Sequence, residues 1–115
     1  MYRIAIASSS GEAVDQHFGQ ATGFLIYEVS TEGVEFLEDR PVVKASNEQM
    51  HAAGNLESIV GQLKDCSAVF VLKIGLRSKQ YLNEHGINSF EVDFPLYKIF
   101  KVLVENEKKG RIRIL

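Results

Sequence analysis

Ala68-Val69-Phe70-Val71-Leu72 is the stretch that decides the fold. A continuous apolar run of this length, closed by Gly75, reads as a central strand buried on both faces of a sheet rather than as a half-exposed edge. On its N-terminal side, Leu56, Ile59, Val60 and Leu63 recur at helical spacing, and Asn55 is the expected N-cap of that helix. On its C-terminal side a helix is expected from Leu76 to His85, with Gly86 just past its end, and then a strand from Ile87 to Val92. Pro95 suits a first helical position, and Leu96, Ile99, Phe100, Leu103 and Val104 give the last helix its apolar stripe.

Upstream, Tyr2 to Ala7 reads as a buried first strand that runs into the loop Ser8-Ser9-Ser10-Gly11. Phe24 to Val29 and Val34 to Arg40 read as two strands of a hairpin around Thr31-Glu32-Gly33, ended by Pro41. The stretch Pro41 to Gly54 carries no clear period and reads as loop, and Lys108 to Leu115 reads as a basic tail. The order strand, strand, strand, helix, strand, helix, strand, helix predicts an α/β domain: a mixed sheet with helices on its faces and right-handed parallel crossovers.

The bulk properties narrow the function classes. A chain of 115 residues with 45% hydrophobic and 24% charged residues fits one globular domain over 1–115. A formal net charge of -2 argues against nucleic acid as a partner. One cysteine, Cys66, permits no internal disulfide. The N-terminal apolar run is too short for a signal segment, and no run approaches the ~20 residues of a membrane helix. A soluble cytoplasmic protein is expected, without membrane association.

Ligands of open α/β sheets sit beyond the carboxyl ends of the strands, where strand order reverses. If the first strand and the 68–72 strand are parallel neighbours, the loops Ser8 to Phe18 and Lys73 to Arg77 meet there, and Asp93 to Pro95 reaches the same rim. Cys66 then lies at the opposite end. His17, in Val14-Asp15-Gln16-His17-Phe18-Gly19, is the candidate metal ligand, because neutral imidazole binds iron and other transition metals. Asp15 would orient the ring by accepting its second N–H. The plainer alternative has His17 capping a turn or bonding backbone. Ser8, Ser9, Ser10 and Gly11 would offer hydroxyls and N–H groups to an anion, and Lys73 and Arg77 would add positive charge at a helix start. A polar loop and solvated charges are the ordinary reading of the same residues. His51 is a second possible ligand or an exposed side chain. His85, at a helix end, and Cys66, before a buried strand, are expected to be structural.

Missing motifs exclude more. There is no Cys-x-x-Cys, so no cysteine cage or radical cluster site within the chain, and no phosphate-binding Gly-rich loop or Gly-x-Ser-x-Gly elbow.

Ile4-Ala5-Ile6-Ala7-Ser8-Ser9-Ser10-Gly11, then Val14-Asp15-Gln16-His17-Phe18-Gly19 and Phe24-Leu25-Ile26-Tyr27-Glu28-Val29, resemble the dinitrogenase iron–molybdenum cofactor biosynthesis family, which takes in NifX-type carriers and the C-terminal domain of NifB. Leu63 to Val71, Lys73-Ile74-Gly75, and Leu82 to Gly86-Ile87 extend the resemblance over roughly residues 2 to 105. It implies a three-layer ribonuclease-H-like fold with a mixed five-stranded sheet and helices on both faces. It also implies transient binding of an iron–sulfur precursor cluster or the iron–molybdenum cofactor, handed between nitrogenase cofactor assembly proteins. A non-catalytic protein is expected, as a monomer or weak homodimer. His17 maps to the family's candidate ligand, with Phe18 shielding one side of the cluster. Two rivals stand: a regulatory or interaction module without metal, and a nuclease using clustered carboxylates and metal ions.

Overall fold

The computed structural model describes residues 1–42 and 52–109, and for 52–55 the backbone alone. Among the described residues, five strands form one sheet: β1 (Tyr2–Ile6), β2 (Gly23–Ser30), β3 (Gly33–Pro41), β4 (Ala68–Val71) and β5 (Asn88–Glu91). Three helices, α1 (Ala52–Gln62), α2 (Leu76–Glu84) and α3 (Leu96–Lys108), complete the architecture. The sheet order is β3-β2-β1-β4-β5. β1 pairs antiparallel with β2 and parallel with β4, β2 pairs antiparallel with β3, and β4 pairs parallel with β5, so the sheet is mixed.

Side-chain alternation along the central strands divides the core in two. Ala5, Ala7, Val69 and Val71 face α1 and α2, where Leu56, Ile59, Val60, Leu63 and Leu82 close over them. Ile4, Ile6, Ala68 and Phe70 face α3 through Leu96, Ile99 and Leu103. All four residues of β4 are buried, which is why its sequence shows no polar alternation. The helices therefore lie on both faces, as the sequence predicted.

Three boundaries differ from the sequence reading. α1 begins at Ala52, so Asn55 lies within the helix rather than capping it, and Ala52-Ala53-Gly54-Asn55 is helix rather than loop. Two alanines, the best helix formers, extend the helix upstream of its apolar stripe. Pro95 stands just outside α3, with φ -60 and ψ 150, instead of in its first turn. β3 carries an irregularity opposite Ile26 and Tyr27, where the pairing partner jumps from Glu38 to Phe36. Gly86 does follow α2, at φ +80, a left-handed conformation that glycine adopts without a Cβ clash. The readings placed on Val43 to His51 and on Gly110 to Leu115 lie outside the described residues, and no helix among the described residues is long and apolar enough to cross a membrane.

Candidate functional site at the carboxyl rim of the sheet

The chain leaving β1 is clamped onto the chain leaving β4. Ala7 N–H donates to the Phe70 carbonyl at 2.9 Å, and the Ala7 carbonyl accepts from Asp15 and Gln16 N–H at 3.2 and 3.3 Å. Leu72 N–H donates to the Gln16 carbonyl at 2.9 Å, and Phe18 N–H donates to the Lys73 carbonyl at 2.8 Å. Both neighbours of His17 are thus fixed to the β4–α2 connection. Side chains reinforce this. Phe18 is 2% exposed and its ring sits 6.0 Å from that of Phe24, while Gln16 exchanges hydrogen bonds with Thr22 through its amide group.

His17 itself has extended backbone, φ -73 and ψ 148, and its carbonyl accepts from Gln20 N–H at 3.1 Å to open a single 3₁₀ turn over Phe18–Gln20. Its ring is exposed, makes no capping hydrogen bond, and has no partner among the described residues. The turn-capping role open to it in the sequence is filled by its backbone alone. The result is a rigidly positioned residue with an uncommitted imidazole, the arrangement a replaceable metal ligand requires.

An open cleft of about 430 Å³ lies beside the ring, lined by Leu72, Lys73, Glu91, Val92, Asp93 and Phe94 together with His17. The last four of those neighbours come from the end of β5 and the β5–α3 link, which is stapled to the β1 loop. Ala13 bridges Pro95, Leu96 N–H donates to the Glu12 carbonyl at 2.9 Å, and Val14 N–H reaches the Phe94 carbonyl at 3.5 Å. Glu91 is partly committed, since one of its carboxylate oxygens accepts from Ile74 N–H at 2.9 Å.

Ser8-Ser9-Ser10-Gly11 lines a different cleft, with Thr22, Leu25 and Asp39. Part of its hydrogen-bonding capacity is spent locally. Ser9 N–H and Oγ both donate to the Asp15 carboxylate, at 2.8 and 3.1 Å. Gly11 N–H donates to Ser8 Oγ at 2.9 Å, and Glu12 N–H to Ser10 Oγ at 3.1 Å. Gly11, at φ +79, makes the turn possible.

This geometry also places the other candidate residues. The Asp15 carboxylate accepts from Ser9, and no hydrogen bond joins it to the His17 ring among the described residues. In the Ser8–Gly11 loop, the Ser9 and Gly11 N–H groups bond within the loop region, to Asp15 and Ser8. Phe18 is buried and anchors the loop in the core. Lys73 does line the His17 cleft, but exposed Arg77 does not, and Glu91 and Asp93 offset the lysine. Asp93 reaches the rim as expected. His51 lies outside the described residues. Sequence reasoning missed Glu91, whose place at the end of the β5 strand was the available signal.

The opposite end of the sheet is closed by an ion-pair network the sequence did not reveal. Arg40 makes a two-pronged pair with Asp65, both N–O distances 2.7 Å, and also reaches the Gln62 carbonyl at 2.6 Å. Arg3 adds a 2.9 Å bond to the same carboxylate. The Arg40 guanidinium, followed by Arg3, holds the Asp65 carboxyl well below its ordinary range. Cys66 sits beside this network, 5% exposed, and burial pushes its thiol up to about 12. At neutral pH it offers no thiolate, and it lies at the end of the sheet away from His17. His85 closes α2, with Nδ1 2.9 Å from the Tyr81 carbonyl, which is a structural role. Among the described residues, no group of three or more histidine, cysteine or carboxylate side chains is placed to hold a metal ion. The clustered carboxylates of the nuclease reading are therefore not found among them.

The family described as dinitrogenase iron-molybdenum cofactor matches residues 1–105 of the chain. The chain belongs to that family. Its relatives include the FeMo cofactor biosynthesis protein NifB of Herbaspirillum seropedicae, 36% identical over 115 residues, which cover 95% of this chain and 22% of that protein. Protein NifX of Rhodobacter capsulatus is 36% identical over 77 residues, covering 64% of this chain and 48% of that one. The chain thus spans less than a quarter of the NifB relatives it matches and about half of NifX. Among solved structures, the orange protein of Desulfovibrio gigas superposes with a TM-score of 0.62 at 19% identity, over 93% of this chain and 90% of that one. That likeness places this member of the dinitrogenase cofactor family in the same fold.

Proposed function

We propose that this domain carries an iron–sulfur precursor cluster or the iron–molybdenum cofactor between assembly proteins, without transforming it, and that His17 is the ligand it lends. The observation that carries the reading is the contrast at one residue: a backbone fixed on both sides and a ring with no partner among the described residues. Membership of the family and similarity to NifB and NifX supply the class of cargo. The sheet order with its antiparallel β1–β2 pair supports grouping the fold with ribonuclease-H-like proteins.

One imidazole in an open cleft favours release as much as capture, unlike a closed multi-ligand cage. Lys73 offers one positive charge to an anionic cluster, while Asp93 and Glu91 limit the attraction. Affinity then rests on ligation rather than on charge, which suits transfer.

Anaerobic titration of the purified chain with isolated cofactor or precursor, followed by visible absorption, tests this. Saturable binding by the wild type and its loss in His17→Ala, with an unchanged melting temperature, is the expected result. Equal binding by the two proteins would remove His17 from the site. No binding by either would favour a metal-free interaction module.

A further inference from the structure

We infer that the groove along α3 is a docking surface for a partner protein that presents an apolar side chain flanked by carboxylates. Phe94 and Val102, 48% and 39% exposed, form its apolar floor together with Ile99. Lys98 and Lys101 edge it, and Glu105 stands at its far end, around an open volume of about 400 Å³. Positions 98, 101, 102 and 105 follow one another at helical spacing, so they form a continuous stripe. That stripe is separate from the Leu96–Ile99–Leu103 face that packs on the sheet, although Ile99 borders both. Tyr97, 68% exposed, widens the apolar area on the flank.

Charge selects the partner. The chain carries -2 overall, but at the groove Lys98 and Lys101 outweigh Glu105. A basic rim around an apolar floor attracts an acidic partner and disfavours a basic one. Glu105 gives the groove direction, since the partner's carboxylates would align with Lys98 and Lys101 and stay away from its far end. The mixed floor and rim suit a side-chain anchor of a folded partner or an extended segment.

Position supplies the purpose. Phe94 lines both this groove and the cleft beside His17. A protein seated on α3 stands next to the imidazole, where a cluster would change hands. The inference deepens the carrier reading, yet the surface is argued from α3 alone and can be tested without cargo.

The test uses a fluorescein-labelled peptide in which leucine and phenylalanine are interspersed with glutamates, its lysine-for-glutamate counterpart, and phosphatidylglycerol vesicles. The full chain should bind the acidic peptide saturably, with amide shifts centred on residues 94–105. The Lys98→Glu/Lys101→Glu variant should weaken binding by about tenfold and Val102→Ser by several-fold, each with an unchanged melting temperature. Neither variant should alter cluster titration, because none of these side chains lines the His17 cleft. Equal binding of the basic peptide, or unchanged affinity in the variants, would overturn the inference. So would vesicle binding in preference to peptide, or self-association that the lysine variant abolishes. Peptide binding by a chain that takes up no cluster would leave the docking surface standing and refute the carrier reading instead.

Discussion

Two loops share the rim of this sheet and use their polar groups in opposite ways. Ser8 to Gly11 commits each of its three hydroxyls and two of its N–H groups to itself, Glu12 and Asp15. Gln16 to Phe18 gives its backbone to the β4–α2 connection and leaves the His17 ring free. A self-satisfied loop is a frame, since any ligand must first break its bonds. A clamped loop with one uncommitted side chain is a site, because binding costs little reordering. On the proposed function, the richer-looking sequence, three serines and a glycine, is the frame, and the lone histidine is the proposed site.

The largest way to break that contrast is to release the clamp. Phe18→Ala removes a fully buried ring and should cost about 3–5 kcal/mol of stability in denaturant unfolding. Cargo binding should fall with it even though the ring touches no cargo. A Phe18→Ala protein of near wild-type stability would contradict its role as an anchor.

The far end of the sheet provides a control. Asp65 is held ionised by Arg40 and Arg3, so its folded pKa lies below its unfolded value. The stability it contributes is present above about pH 4 and is lost as the pH falls below that. Asp65→Asn should lower stability at pH 7 by about 1–2 kcal/mol, discounted because the carboxylate is partly exposed, and should flatten the acid limb of the profile. Cargo binding at His17 should not change.

Breaking the frame should matter less. Asp15→Ala removes two hydrogen bonds to Ser9 and should cost about 1 kcal/mol, with faster amide exchange at Ser9. Cluster affinity should stay within a few-fold, whereas an orienting partner of the imidazole would show a much larger loss. The smallest expected effect is at the cleft wall. Asp93→Asn removes one exposed negative charge and should tighten binding of an anionic cluster by about twofold at low salt, an effect that added salt erases.

Much of this was legible in the sequence because it follows from burial. The unbroken run at 68–72 marked a strand covered on both faces, and helical spacing at Leu56–Leu63 and Leu96–Leu103 marked the covering helices. The parallel β1–β4 pair then placed His17 and Cys66 at opposite ends. The site's details depended on pairings between distant residues, which no local pattern encodes. Asp15 lies two residues from His17 in sequence, yet its carboxylate is captured by Ser9. Phe18 looks like a loop aromatic, but the hydrogen bond from its N–H to Lys73 turns it into the core. Arg40 and Asp65 are 25 residues apart and meet only once β3 and α1 are in place.

The central claim is that the His17 imidazole itself ligates the cluster. Isotope-labelled histidine in the cluster-loaded chain, examined by pulsed electron paramagnetic resonance, tests it most directly. The account predicts one histidine nitrogen coupled to the cluster in the wild type and no such coupling in His17→Ala. A coupling that survives in His17→Ala, or a loaded wild type with none, would contradict it.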